Sequence, residues 1–196
     1  MLRSLEMAAT AGARHDSAIA RRVKRDAPFF LVAAAVLVFD QLTKAIIRAE
    51  LELGESWPND DWLVRIRHLS NTGAAFGMLQ DAGVFLTVTA VMAIGAIVFY
   101  YLYPPFENGL LRAALGLLLG GAAGNLVDRI RFGEVTDFIQ FPHYPAFNVA
   151  DSSITIGLVV IVGFFVLIEG REKKPTGPGR PPGDTPEPRQ AAADGD

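Results

Sequence analysis

The sequence contains no cysteine. Disulfides, thiol nucleophiles and thiolate metal ligands are thereby excluded together, and this criterion leaves the redox compartment open. Histidine is nearly as scarce: His15, His68 and His143 stand apart with no His-Glu-x-x-His spacing, which argues against a zinc peptidase. No Gly-x-Ser-x-Gly elbow is present. Basic charge is not in excess, since 18 Lys and Arg face 21 Asp and Glu for a net charge of −3. The basic residues form no aromatic-studded patch, so no nucleic-acid partner is expected.

Charge is also missing from four long stretches. The chain is 51% hydrophobic with a mean hydropathy of +0.28, yet 20% of its residues are charged, so polar and apolar segments must be segregated. About 20 apolar residues cross the hydrocarbon core, at roughly 1.5 Å of rise each. Spans are expected over 27–47, 82–106, 109–127 and 152–168. The first is broken by a polar island at Asp40, Gln41, Thr43 and Lys44, and the third carries only Arg112, near an end where it is expected to snorkel toward the headgroups. The pattern predicts an all-α membrane protein, a four-transmembrane-helix bundle.

Basic loops stay on the cytoplasmic side. Residues 1–26 hold six Lys and Arg, and Arg171, Lys173 and Lys174 follow the fourth span, whereas the loop 48–81 has three basic residues against six acidic ones. Both termini are therefore expected in the cytoplasm, with the loops 48–81 and 128–151 outside. Three regions follow: a basic N-terminal tail, 1–26; a membrane domain, 27–170; and a cytoplasmic C-terminal tail, 171–196, whose Pro, Gly and Ala content predicts disorder. The first span is too long and too polar near its outer end for a cleaved signal peptide. Alternation over 62–69 and the β-branched and aromatic residues of 134–140 predict a small β-element, built from the two outer loops on the membrane surface.

An ionisable residue within a span is expensive and points to a functional site. Asp40 lies in the outer half of the first span, roughly 18 Å above its inner end. Lys44 follows one turn later. The two are expected either as an i,i+4 pair whose lysine snorkels outward or as a substrate contact. Gly116, Gly120 and Gly124 give the third span a smooth face for close helix packing. Asn125, Asp128 and Arg129 close that span, and taken alone Asp128 with Arg129 reads as an interfacial ion pair. Asn148 and Asp151 have the form of an N-cap with an acidic third residue, expected at the start of the fourth span. Asp137 sits in the apolar run Val135–Ile139 with no cationic neighbour in sequence, and a carboxylate placed there calls for a reason.

Five islands together resemble the lipoprotein signal peptidase, or signal peptidase II, family. They are Asp40-Gln-Leu-Thr-Lys44, Asn71-Thr-Gly-Ala-Ala-Phe76, Gly124-Asn-Leu-Val-Asp-Arg129, Gly133-Glu-Val-Thr-Asp-Phe138 and Phe147-Asn-Val-Ala-Asp-Ser152, in family order over roughly residues 30–168. The resemblance implies an aspartic endopeptidase whose catalytic pair is Asp137 and Asp151. Thr136 stands where the family often has Val. Asp40, Lys44, Asn71, Asn125, Asp128, Arg129 and Asn148 are then expected to bind substrate or support the site, with Arg129 holding Asp128 or a lipid phosphate. The implied partners are diacylglyceryl-modified prolipoproteins, cut on the amino side of the lipidated cysteine, together with membrane lipids and inhibitory cyclic peptides of the globomycin type. No metal or cofactor is implied, and a monomer in the bacterial cytoplasmic membrane, active at its outer face, is expected. Competing readings are a small proton-coupled transporter using Asp40 and Lys44, a scaffold, and a Ser and Lys peptidase using Ser70, Ser152 or Ser153 with Lys44 as base.

Overall fold

The computed structural model describes residues 2–58, 62–73, 83–104 and 108–172. Its elements are α1 (Leu2–Glu50), β1 (Ser56–Trp57), β2 (Arg65–Asn71), α2 (Gly83–Leu102), α3 (Gly109–Phe132), β3 (Val135–Gln140) and α4 (Val149–Glu172). Each α-helix contains a stretch long and apolar enough to cross a membrane. The expected spans are thus present, and α1 continues without a break through the expected boundary at residue 26. The later part of the Asn71–Phe76 motif, the turn at Glu107 and the C-terminal tail from residue 173 lie outside the described residues.

The helix ends follow from local chemistry. Asn108 caps α3, its Oδ1 accepting the Leu110 N–H at 2.8 Å. Gly133 ends that helix at φ 78°, a left-handed conformation that glycine adopts without penalty, and its N–H returns to the Arg129 carbonyl at 3.0 Å. At the start of α4, the Asn148 side chain accepts the Asp151 N–H at 3.0 Å while the Asp151 carboxylate accepts the Asn148 N–H at 3.2 Å. This reciprocal capping box is the one expected there.

Helix α3 is the centre of the bundle and packs against α1, α2 and α4. Its small residues permit that. A Cβ at Gly116 would stand 2.6 Å from the Phe29 carbonyl oxygen, and one at Gly120 would stand 2.6 Å from that of Ala33, so both glycines lie against the α1 backbone. Gly124, expected on the same contact face, instead makes room for the Asp40 carboxylate, 2.5 Å from where its Cβ would be. The outward faces of α1, α2 and α4 expose residues such as Phe39, Met92, Phe99 and Val162, as lipid-facing surfaces do. Gly120→Leu is expected to cost at least about 2 kcal/mol by forcing α1 and α3 apart. Gly163→Ala, which meets nothing within 4 Å, should leave the thermal midpoint unchanged or raised. Equal midpoints for the Gly120→Leu variant and the parent would refute this packing.

Segments of the two longer loops pair as a three-stranded antiparallel sheet in the order β1-β2-β3. The predicted β-element is present, although its first long strand begins at Arg65 rather than Trp62, and β1 was not expected. The register sets Leu69 opposite Asp137 and Asn71 opposite Val135, with a shift between Ile66 and Leu69. This pairing brings Asn71, at the end of one loop, beside a carboxylate of the other.

Candidate active site

The sheet, the C-terminal ends of α1 and α3 and the N-terminal ends of α2 and α4 meet at one end of the bundle. There a cleft of about 430 Å³ is lined by Asn71, Arg129, Asp137, Tyr144, Phe147 and Asp151, among others. A second, more apolar cleft of about 570 Å³ adjoins it, sharing Tyr144, Phe147 and Asp151 and running along α4 past Ser152, Thr155 and Ile156. Asp137 and Asp151, 14 positions apart in sequence, therefore face the same space.

Asn148 joins them. This fully buried side chain donates from Nδ2 to Asp137 Oδ1 at 2.7 Å, while its backbone N–H donates to Asp151 Oδ2 at 3.2 Å. Each carboxylate takes a further bond from another asparagine: Asp137 Oδ2 from Asn71 Nδ2 at 2.8 Å, and Asp151 Oδ1 from Asn125 Nδ2 at 2.8 Å. Asp137 is only 3% exposed. Burial raises its pKa to about 6; the hydrogen bonds from Asn71 and Asn148 oppose that rise, and the negative charge of Asp151 adds to it. A carboxyl group so placed holds its proton into a range where ordinary aspartates have lost theirs.

Beneath the cleft lies a sealed layer of charge. Asp40, Lys44 and Asp128 are each 0% exposed. Lys44 Nζ contacts Asp40 Oδ2 at 2.9 Å, Asp128 Oδ2 at 3.3 Å and Asn125 Oδ1 at 2.9 Å. The i,i+4 pair is present, but Lys44 turns inward instead of snorkelling, because two carboxylates and an amide oxygen of α1 and α3 satisfy its ammonium inside the protein. Asp40 Oδ1 also accepts the Ala150 N–H at 2.9 Å, so a carboxylate of α1 meets the N-terminus of α4. Asp128 accepts from Gln41 Nε2 at 3.1 Å and from the Thr136 N–H at 3.1 Å, which locks α3 to β3 one residue before Asp137.

Asn71 bonds Asp137, Asn125 bonds Asp151 and Asn148 bonds both. Asp40, Lys44 and Asp128 do not line the cleft; they hold the groups that do. Arg129 lines the cleft within electrostatic reach of Asp151 and Asp137. It also lies within electrostatic reach of Asp128, whose ion pairs are made by Lys44 and Arg48 at 3.3 and 3.7 Å. Arg48 also donates to Thr136 Oγ1 at 2.8 Å. It was not singled out from the sequence, and Gln41 was read only as part of the polar island of the first span, although positions 40, 44 and 48 share one helical face and signalled a longer polar stripe. The cleft wall is formed by Tyr144 and Pro145, which carried no sequence signal, and by Phe147, which opens the last of the five motifs. Among the described residues, no group of His, Asp and Glu is arranged to hold a metal ion.

The Ser and Lys alternative finds no support in the geometry. Ser152 and Ser153 donate to the carbonyls of Asn148 and Val149 at 3.0 and 2.8 Å, the buried Ser70 hydroxyl has no hydrogen-bond partner among the described residues, and the Lys44 ammonium contacts Asp40, Asp128 and Asn125 and none of the three serines.

The family described as signal peptidase (SPase) II matches residues 32–167. The lipoprotein signal peptidase of Shouchella clausii is 43% identical over 149 residues, covering 74% of this chain and 96% of that protein. That of Moorella thermoacetica is 41% identical over 146 residues, covering 74% and 97%. Among solved structures, a bacterial membrane enzyme determined in meso at 2.3 Å resolution superposes with a TM-score of 0.66 at 33% identity, covering 76% of this chain and 93% of its own. Another, at 1.9 Å, gives a TM-score of 0.64 at 35% identity, covering 69% and 90%.

Proposed function

The chain belongs to the signal peptidase II family, and from that premise we propose that it cleaves its substrate as an aspartic endopeptidase, with Asp137 and Asp151 as the acid and base pair. It is a multi-pass protein of the bacterial cytoplasmic membrane that removes signal peptides from prolipoproteins. The observation that carries the mechanism is the bridge through Asn148, whose side chain holds one carboxylate and whose backbone N–H holds the other in one cleft.

In this reading Asp137 begins protonated and Asp151 ionised. Asp151 takes a proton from water as the water oxygen attacks the scissile carbonyl carbon, and Asp137 donates its proton to the carbonyl oxygen. The tetrahedral intermediate then collapses. Asp151 passes its proton to the leaving nitrogen of the cysteine residue, Asp137 recovers one from the hydroxyl, and the carbon–nitrogen bond breaks. Asn71, Asn125 and Asn148 keep the two carboxylates in place throughout.

The substrate in this proposal carries a diacylglyceryl group on that cysteine, and the adjoining apolar cleft along α4 supports it. The Lys and Arg bias supports an outer location for the active site and cytoplasmic termini. No observation favours the transporter, whose candidate relay of Asp40 and Lys44 is closed into an ion-pair layer at one end of the bundle. The test is incubation of the purified protein with lipidated and unlipidated forms of one prolipoprotein. Only the lipidated form is expected to be cut, and equal cleavage of both would refute the substrate assignment.

The raised pKa of Asp137 sets the sign of the pH dependence. The proton it must donate is present below about pH 6 and is lost as the pH rises through that value in the free enzyme. A bound lipidated helix displaces water from the cleft and moves the corresponding limb of kcat higher. The kcat/KM profile, which reports the free enzyme, should therefore fall on its basic side with an apparent pKa of about 6, and the kcat profile should fall at a higher value. Asn substitution at Asp137 should leave no such limb in the residual rate, and a kcat/KM limb well below about 6 would contradict the assignment of Asp137 as the acid.

A further inference from the structure

Thr136 fastens β3 to the bundle from behind. Successive side chains of a strand point to opposite faces, so Thr136 turns inward where Asp137, the next residue, faces the cleft. We propose that Arg48, which grips the Thr136 hydroxyl, is a positioning residue for cleavage that sets the place of Asp137 through β3. The proposal rests on the reading of Asp137 as the acid of the dyad, and deepens it by assigning the orientation of that acid to the end of α1.

Thr136 is buried, and side chains of three helical segments hold its polar groups. Its N–H donates to Asp128 Oδ2 at 3.1 Å, its carbonyl accepts from Asn148 Nδ2 at 3.4 Å, and its hydroxyl accepts from Arg48 Nη1 at 2.8 Å. The same Asn148 Nδ2 reaches Asp137 Oδ1 at 2.7 Å. A shift of β3 at position 136 therefore disturbs both bonds of that amide at once. Ser70, opposite Thr136 across the sheet, offers no substitute for the Arg48 tie, since its buried hydroxyl has no hydrogen-bond partner among the described residues.

The guanidinium is itself fixed. Arg48 stands in the last turn of α1, where the helix dipole favours a cation. Its Cζ lies 4.6 Å from the Phe132 ring centre, and its Nη1 lies 3.7 Å from Asp128 Oδ1. Phe132 and Asp128 belong to α3, so one planar group links α1, α3 and β3. A rigid fork held in this way resists displacement of the strand it grips. The consequence for catalysis is geometric. A general acid acts only within hydrogen-bond reach of the atom it protonates, and a misplacement of about 1 Å costs up to roughly 10²-fold in rate.

The experiment measures kcat and KM for a lipidated prolipoprotein with the purified full-length protein, and reads folding separately from the thermal midpoint. Thr136→Val removes the acceptor hydroxyl, keeps the side-chain shape and leaves Arg48 beside Asp128. It is expected to lower kcat on the order of tenfold with KM unchanged. Thr136→Ser, which restores the acceptor, should return kcat close to the parental value. Arg48→Met should be slowed as well, and adding Thr136→Val to it should cost nothing further, because both changes remove one bond. If Arg48→Met does not fold, the Val and Ser variants decide alone. A parental kcat in Thr136→Val, a raised KM in place of a lowered kcat, a Thr136→Ser protein as slow as the Val variant, or additive losses in the double variant would each overturn the positioning role. Asp137→Asn in the same assay separates this outcome from failure of the dyad. An inactive Asp137→Asn protein beside a parental Thr136→Val protein removes the positioning role alone, whereas a parental rate in Asp137→Asn removes the dyad and the proposal with it.

Discussion

Replacing Asp137 or Asp151 by Asn is expected to lower cleavage of a lipidated prolipoprotein by at least about 10³-fold, while the protein still folds and binds that substrate. Asn has the shape of Asp but neither accepts the proton of the attacking water nor shares one with its partner. The scaffold around both positions stays in place, since the asparagines that hold them are themselves anchored: Asn71 Oδ1 accepts the Gly73 N–H at 3.1 Å, and Asn125 Oδ1 accepts from Lys44 at 2.9 Å and from Asn148 at 3.1 Å. The Asp151 variant should also lose on the order of 1 kcal/mol of stability, because its carboxylate closes the capping box of α4. The double variant should be no slower than either single one, as residues that act as a unit give non-additive losses. Single-turnover cleavage and substrate co-purification measure the two properties separately. A folded Asp137→Asn protein cutting at the parental rate would end the aspartic mechanism.

The largest loss of stability is expected for Lys44→Met. That change keeps the apolar stem and removes an ammonium that touches two fully buried carboxylates and the Asn125 amide. Deleting one partner of a buried ion pair costs about 3–5 kcal/mol, because the remaining charge is left without compensation. Activity in the surviving folded fraction should fall as well. Asn125 Nδ2 holds Asp151, and the orientation of that amide is set by what its oxygen accepts from Lys44 and Asn148. Adding Asp40→Asn should recover part of the stability, since it removes one of the stranded charges. Thermal denaturation of the two single variants and the double variant completes the cycle. Strictly additive losses would show that Asp40 and Lys44 do not stabilise one another.

Hydropathy and short-range spacing report the medium each segment occupies, which is why four spans, a capping box at Asn148 and Asp151 and a β-element from the two longer loops were legible in advance. They report poorly on elements whose only reason is a neighbour. Strand β1 is two residues long and exists by pairing with β2, so no periodicity announces it. The inward turn of Lys44 is a similar case. Its neighbours in sequence are compatible with snorkelling, and its principal partners on α3, Asn125 and Asp128, are more than 80 positions away.

The sequence by itself determined that the chain crosses a membrane, that its polar islands gather at one end, and through those islands which family it resembles. Each of these depends on composition and spacing within a segment, where local physics is sufficient. Only the tertiary structure decided how the carboxylates divide: Asp137 and Asp151 open into a cleft, while Asp40 and Asp128 are sealed beneath it and held by Lys44. It also decided that Asn148 joins the cleft pair and that Arg112 meets Asp26, 86 positions away. The reason is that a side chain's charge is written in its residue type, whereas its burial and its partner exist only once α3 has packed between α1 and α4.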